Sequence, residues 1–147
     1  MDLSPNRGEF TGSAAAFPVS IKGVLLVDGR VVLLENERLE WELPGGRMES
    51  GEDHAACLVR EFAEELDVDI SVAAILDNWV FEVLPQRKVL IVTYGVRRSS
   101  ERPMRVSAEH RRFGLFRLSE LDGLPLPEGY RRSIRAWAAR CGRWRAQ

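Results

Sequence analysis

Apolar residues gather into short β-rich runs in the first part of the chain. The runs "VSIKGVLLV" and "RVVLLEN" flank the dipeptide Asp28-Gly29. Asp-Gly suits a tight hairpin turn, because both residues tolerate the positive φ angles that such turns require. The fold is therefore predicted to open with a β-hairpin, followed by a Pro-Gly-Gly turn in "LEWELPGGR". Residues 1–16 mix Ser, Gly, Pro and Ala and are predicted to be a mobile lead-in to a single domain over residues 17–147.

Two longer apolar runs in the second half predict another pair of strands. They are "ISVAAILDNWVFEVL" and "RKVLIVTYGVRR", and they meet at Pro85-Gln86. After a polar loop, "FGLFRL" predicts a short strand, "SELDGL" one helical turn, and "EGYRRSIRAWAARCGRW" a closing helix after Pro127. Strands and helices in this order predict an α/β fold in which a mixed β-sheet lies between helices.

A helix is predicted within "GGRMESGEDHAACLVREFAEELDV", Gly45–Val68. Ser50 is a suitable N-cap, and Asp53 follows three residues later, as in a capping box. Six apolar residues lie on one arc of this helix and are predicted to be buried: Ala55, Leu58, Val59, Phe62, Ala63 and Leu66. Glu61, Glu64 and Glu65 lie on the other side, where like charges cost roughly 0.2–0.5 kcal/mol per pair. A positive partner is expected to offset that cost.

Composition and charge exclude several classes of protein. The formal net charge of the 147 residues is −1, so no overall field indicates nucleic-acid or membrane binding. The arginines of the closing helix are interpreted as a solvated face. Cys57 and Cys141 form no CxxC pair, which predicts neither a zinc site nor a disulfide framework. Neither a signal peptide nor a membrane-spanning window is visible, so a cytoplasmic location is expected.

The cluster of glutamates favours a particular kind of metal. Carboxylates are hard oxygen donors, and without histidine or cysteine they select Mg²⁺ or Mn²⁺ over zinc. Mg²⁺ held by carboxylates usually indicates phosphate chemistry. Gly45 and Gly46 stand beside the cluster, where glycine lets the backbone approach phosphates or offer a carbonyl to the metal.

These residues resemble the Nudix box, whose pattern is a glycine, a later glutamate, and then Arg-Glu-hydrophobic-any-Glu-Glu-any-Gly-hydrophobic. The matching positions are Gly46, Glu52, Arg60, Glu61, Phe62, Glu64, Glu65 and Val68. Phe62 replaces the usual aliphatic residue, which affects packing. Asp67 replaces the usual glycine at the helix end, where a left-handed residue is suited, and aspartate tolerates that conformation better than most residues.

The resemblance implies a Nudix-type α/β/α sandwich and a role for each box residue. Glu61, Glu64 and Glu65 would hold the divalent metal together with the Gly45 carbonyl. Arg60 would orient Glu61, and Glu52 would pair with Arg60 or bind a second metal.

Other residues outside the acidic helix are candidates for catalysis or substrate binding. Some Nudix enzymes take a base or an extra ligand from a later loop, where this chain offers Glu109, with His110 as a weaker candidate. Arg47, next to Gly46, is predicted to meet a phosphate. Trp41, like Trp79 and Phe81, is a candidate for stacking on a nucleobase, although aromatic residues in strands more often belong to the core.

The resemblance implies a Mg²⁺-dependent hydrolase, with Mn²⁺ as a substitute metal, that cleaves a pyrophosphate bond in a nucleoside diphosphate linked to another moiety. Pro85 slightly favours an ADP-ribose-like substrate. The alternative is a nucleotide-sensing or partner-binding module of the same fold without turnover, against which the intact set of acids counts. The expected partner is a small nucleotide, with no membrane and no specific nucleic acid. The substrate, the number of metals, the position of the base and a homodimeric state are left open.

Overall fold

The structure is a computed structural model that describes residues 13–145. Within this range the chain forms seven strands: β1 (Val19–Val27), β2 (Arg30–Glu35), β3 (Trp41–Glu42), β4 (Gly45–Arg47), β5 (Ile70–Leu84), β6 (Arg87–Arg98) and β7 (Arg112–Phe116). The helices are α1 (His54–Leu66), a 3-10 helix over Leu118–Gly123, and α2 (Glu128–Arg145). Most of the predicted lead-in falls outside the described residues, so its boundary at residue 16 stays a prediction.

Both predicted hairpins are confirmed. Asp28 and Gly29 join β1 to β2 with φ angles of 51° and 77°, the left-handed values that the Asp-Gly dipeptide favours. Pro85 and Gln86 join β5 to β6, and Gln86 has a φ of 65°. The turn residues therefore account for the pairing of β1 with β2 and of β5 with β6.

The strands form a mixed sheet in the order β3-β2-β1-β6-β5, with β4 paired to β1 and β7 paired to β2. β1 and β6 are parallel, and the other strand pairs are antiparallel. The predicted mixed sheet is confirmed. The β1–β4 pairing matters most for the site, because it places Gly45 opposite Lys22 and Gly46 opposite Ile21.

The sheet has a helix and an apolar core on each face. Ile21, Leu25 and Val32 pack with Phe62 and Leu66 of α1. The alternate strand positions face α2, and this second core contains Val24, Val31, Leu33, Ile134 and Trp137. β1 and β2 are buried on both faces, which explains their nearly continuous apolar sequence. The predicted α/β/α sandwich is therefore confirmed.

Helix α1 begins later than predicted. Its N-cap is Asp53, whose carboxylate accepts a hydrogen bond from the Ala56 N–H at 2.8 Å, so the prediction of Ser50 as N-cap was wrong. Gly51 has a φ of 82°, and the Glu52 N–H donates to the Glu49 carbonyl at 3.2 Å. Residues 49–52 therefore form a turn, and the helix starts only after it.

The buried face of α1 is also rotated from the predicted arc. Val59 is 43% exposed, and Ala55 and Ala63 are exposed as well, whereas Cys57 and Glu65 are buried. Glu65 was predicted to lie on the solvent side of α1 with the other acids. Instead it is buried, where it has a hydrogen-bonding partner and a charged partner. Those partners lie on β1 and β4, and the pairing of these two strands brings them to the helix.

The end of α1 agrees with the prediction for Asp67. This residue has the left-handed conformation, with φ 54° and ψ 39°, and its N–H donates to the Ala63 carbonyl at 3.1 Å. The helix thus ends where the box normally has glycine. Among the described residues, no helix is long and apolar enough to cross a membrane.

Candidate active site

Arg60 connects acidic residues of α1 with one in the turn before it. Its Nε and Nη2 donate to the two oxygens of Glu52 at 2.6 and 3.0 Å. Nη1 donates to Glu61 at 3.0 Å and to Glu64 at 3.2 Å, and Nη2 also donates to the Arg47 carbonyl at 3.2 Å. One planar guanidinium therefore binds three glutamates and a backbone carbonyl of β4, which is a geometry that lysine cannot reproduce.

The electrostatics of this cluster keep Glu52 ionised. Hydrogen bonds from Arg60 and from the Glu49 N–H hold the pKa of the Glu52 carboxyl at about 2. The same pairing with Glu52, and further pairing with Glu61, raises the pKa of Arg60 above its ordinary value. The positive partner expected for the clustered glutamates is thus in part Arg60, a residue of α1 itself.

Glu65 lies deeper and contacts β4. Its Oε1 accepts a hydrogen bond from the Gly45 N–H at 2.8 Å, and its side chain is only 3% exposed. Burial raises the pKa of the Glu65 carboxyl, while the positive charge of Lys22 and the hydrogen bond from Gly45 oppose that rise. On the other side of the same glycine, Lys22 Nζ donates to the Gly45 carbonyl at 3.3 Å.

The two glycines let β4 approach both β1 and α1. A Cβ on Gly45 would lie 2.0 Å from the Ile21 carbonyl oxygen, and the φ of Gly45 is 135°. A Cβ on Gly46 would lie 2.6 Å from Glu61 Oε1. Glycine is therefore required at residue 45 by the backbone, and at residue 46 by the position of the Glu61 carboxylate.

His110 joins the later loop to the acidic site. Its Nε2 lies 2.9 Å from Glu42 Oε1, and its Nδ1 lies 3.5 Å from Glu65 Oε2. The hydrogen bond with Glu42 raises the pKa of the His110 ring. Burial works against ionisation of Glu42, but the charge of Lys22 and hydrogen bonds from His110 and Asn36 lower the pKa of its carboxyl to about 2.

Three predicted site residues have side chains that lie outside the Arg60 network. Glu109 is exposed on the loop, next to the inward-facing His110. Arg47 is exposed and reaches the network through its carbonyl. Trp41 is 6% exposed, with its ring in edge contact with Phe116, so most of its surface belongs to the core. The roles proposed for all three in catalysis or substrate binding stay predictions.

The chemistry of the acidic residues fits a divalent metal, although it does not by itself identify one. Glu61 and Glu64 both contact Arg60 Nη1, so their oxygens can share one positive partner. Within residues 13–145, however, no three histidine, cysteine or acidic side chains converge as a ready metal site. The residues predicted to hold the cation are Glu61, Glu64, Glu65 and the Gly45 carbonyl. The structure places Arg60 and Lys22 among them.

Sequence reasoning missed Lys22 and Glu42. Lys22 lies in an apolar strand pattern and Glu42 just before the Pro-Gly-Gly turn, with no motif to mark either. For Lys22, its place among apolar residues of β1 could have indicated a buried acidic partner, since lysine is almost never buried without one. The pairing of β1 with β4 is what brings Lys22 to the site.

Comparison with known proteins agrees with this fold. A family model described as the NUDIX domain matches residues 11–138. The crystal structure of a MutT NUDIX hydrolase from Burkholderia pseudomallei superposes with a TM-score of 0.72 and 24% identity, over 83% of this chain and 98% of that one. An ADP-ribose pyrophosphatase from Streptococcus suis gives a TM-score of 0.67 and 21% identity, over 86% and 92% of the two chains. At these identities the likeness concerns the fold.

A shorter match exists at the level of sequence. A Mycobacterium tuberculosis protein provisionally named as an 8-oxo-dGTP diphosphatase is 47% identical over 38 residues. The match covers 26% of this chain and 27% of that protein, so the chain aligns with about a quarter of the length of its curated relative.

Proposed function

Because this chain belongs to the Nudix family, we propose that it is a hydrolase that cleaves a pyrophosphate bond in a nucleoside diphosphate linked to another moiety. An ADP-ribose-like compound or another nucleotide would be the substrate. Nucleotide pyrophosphatases are among the similar proteins, including the ADP-ribose pyrophosphatase and a Caenorhabditis elegans Ap4A hydrolase, which has a TM-score of 0.72 and 15% identity over 85% of this chain and 98% of that one.

The observation that carries the proposal is the Arg60 network beside the glycines of β4. Arg60 binds Glu52 with two nitrogens and directs a third nitrogen at Glu61 and Glu64. Gly46 leaves the space that the Glu61 carboxylate occupies. A protein that needed only a stable helix surface would have no reason to hold three acids in this arrangement against their mutual repulsion.

Each residue has a distinct role in this mechanism. When bound, Mg²⁺ or Mn²⁺ would neutralise charge on the phosphates and lower the pKa of a coordinated water. Glu61, Glu64, Glu65 and the Gly45 carbonyl would hold that cation. Arg60 orients Glu61, and Glu52 fixes the plane of the guanidinium. Glu109, exposed on the loop next to His110, is the candidate general base because its carboxylate is accessible to solvent.

The substrate side of the site is less constrained. Arg47 is exposed at the end of β4 and can meet a phosphate. Pro85 lies in the turn between β5 and β6. The turn accounts for a proline at this position as well as a preference for ADP-ribose does. The family and fold do not select the leaving group, so the substrate class has to come from assay.

The proposal is tested by incubating the protein and Mg²⁺ with a panel of compounds: nucleoside triphosphates, 8-oxo-dGTP, ADP-ribose, nucleotide sugars and dinucleoside polyphosphates. Release of monophosphate or pyrophosphate is measured. Glu61→Gln should abolish release, whereas Glu37→Gln, on an exposed turn, should not change it. A chelator should stop turnover, and fresh Mg²⁺ or Mn²⁺ should restore it.

Two outcomes would contradict the proposal. Full turnover in a chelator would exclude the metal-dependent mechanism. Tight binding of a nucleotide without turnover of any compound would favour the alternative, a nucleotide-sensing or partner-binding module of the same fold.

A further inference from the structure

Lys22 places a positive charge inside the acidic site. The residue is 7% exposed, although lysine is rarely buried without a partner. The carboxylates of Glu42, Glu65 and Glu61 attract its ammonium and offset the cost of burial. Lys22 is therefore a charged group held among acids.

The contacts of Gly45 show where that charge acts. The N–H of Gly45 donates to Glu65 Oε1 at 2.8 Å, and its carbonyl accepts from Lys22 Nζ at 3.3 Å. The pairing of β1 with β4 sets Lys22 directly opposite Gly45, so this contact follows from the backbone register. Lys22 thus contacts the same carbonyl oxygen that the proposed metal site needs.

We propose that Lys22 is a positioning residue that serves as an internal cation of the acidic site, competes with the divalent metal for the Gly45 carbonyl, and so lowers the affinity of the site for metal. The inference rests on the proposed function, since it concerns the metal of that reaction. It does not require Lys22 to touch the substrate.

The charges around Lys22 support this role. Without metal, the ammonium neutralises part of the charge of Glu61 and Glu65 and keeps the Gly45 carbonyl in place. With metal, two cations would share these acids, and their repulsion disfavours binding. Glu42 lies outside the proposed ligand set and also attracts Lys22, so it can retain the ammonium after the Gly45 carbonyl is released.

A purely structural counterion would behave differently. If Lys22 only stabilised the fold, its removal would lower stability equally with and without metal, and metal affinity would stay the same. If Lys22 competes with the metal, its removal must lower the stability of the metal-free protein and raise metal affinity at the same time. The two effects have opposite signs.

The experiment measures Mn²⁺ binding to the full chain without substrate, by calorimetry and by the electron paramagnetic resonance of free Mn²⁺. Lys22→Met keeps the length of the side chain and removes its charge. It should bind Mn²⁺ about tenfold more tightly than the parent, because a nearby like charge is gone. Its melting temperature in chelator should fall, while its rise on adding Mn²⁺ should exceed that of the parent. Lys88→Met, at an exposed position, is the matched control and should leave the affinity unchanged.

Glu42→Gln provides an independent arm in case Lys22→Met does not fold. It removes the carboxylate that retains Lys22, so the ammonium should hold the Gly45 carbonyl more firmly and Mn²⁺ should bind severalfold more weakly. In the double variant the effect of Glu42→Gln should shrink, because Lys22 is no longer present.

Equal or weaker Mn²⁺ binding by a folded Lys22→Met variant would overturn the inference while leaving the proposed function intact. If that variant does not fold, equal or tighter binding by Glu42→Gln would overturn it. A parent protein that binds no Mn²⁺ would overturn both this inference and the metal assignment of the proposed function.

Discussion

Arg60 and Glu52 form a bidentate ion pair, with Nε 2.6 Å from Oε2 and Nη2 3.0 Å from Oε1. Glu52 lies in the turn before α1, and Arg60 lies within the helix. The pair therefore ties that turn to the helix and sets the plane of the guanidinium. The remaining nitrogen of the guanidinium then meets Glu61 and Glu64, so the ion pair controls where both carboxylates point.

Arg60→Lys is expected to lower both stability and turnover. Lysine keeps the charge but cannot bind Glu52 with two nitrogens while it contacts Glu61. The loss of charge-assisted hydrogen bonds should cost about 1–3 kcal/mol of unfolding free energy. Urea denaturation and the hydrolysis assay check both effects. Arg30→Lys, at the exposed first residue of β2, is the control and should match the parent in stability.

The two adjacent glycines should respond differently to alanine. Gly45→Ala should destabilise the fold by more than about 2 kcal/mol, because its Cβ would meet the Ile21 carbonyl at a strained φ. Gly46→Ala should cost much less stability, since its Cβ meets the end of the flexible Glu61 side chain. It should still lower turnover by displacing that carboxylate. Equal melting temperatures for the two variants would contradict this account of β4.

Asp67 allows a test of its left-handed backbone. Asp67→Gly should leave the unfolding free energy within about 1 kcal/mol of the parent, because glycine adopts this conformation without strain. The pair that it loses, with Arg102 at 3.4 Å, joins two half-exposed side chains and is worth little. Asp67→Val should be destabilised by about 1–2 kcal/mol, since a β-branched residue is disfavoured there. Thermal melting of the two variants distinguishes these outcomes.

The ion pairs of Glu35 are expected to make a contribution to stability that depends on pH. Its carboxylate accepts hydrogen bonds from Arg112 and Arg111, which lower the pKa of Glu35 below its ordinary value of 4.5. A lowered pKa in the folded state adds stability above pH 4.5, and this stability is lost as the pH falls through the folded pKa. Glu35→Gln should therefore be less stable than the parent at pH 7, and the difference should shrink at pH 3. Urea titrations at the two pH values measure it, and a difference that grew in acid would contradict the ion pairing.

Glu109→Gln tests the proposed general base. If the exposed loop supplies the base, kcat should fall at least about tenfold with little change in KM. Stability should stay within about 0.5 kcal/mol of the parent, because the side chain is exposed. Glu101→Gln, at another exposed loop position, is the control. An unchanged kcat for Glu109→Gln would move the base to the glutamates of α1.

Several features of the fold could be predicted because their causes are local. Asp28-Gly29 and Pro85-Gln86 restrict the backbone over two residues, so both hairpins followed from the chain alone. Asp67 was expected to accept the left-handed conformation for the same kind of reason. The start of α1 was predicted less well, because Ser50 and Asp53 are both good N-caps, and the turn at Gly51 decides between them.

By itself the sequence determined the order of the five longer strands and the helices, the two hairpin turns, and the clustering of Glu61, Glu64 and Glu65 on one helix, but not the short strands β3 and β4. These depend on neighbours in the chain, where spacing and backbone preference suffice. Only the tertiary structure decided that Glu65 is buried against Gly45, that Lys22 reaches the carbonyl of the same glycine, and that His110 contacts Glu42. Those contacts join residues far apart in sequence, and the energy of burying a charge depends on the partner that strand pairing brings to it.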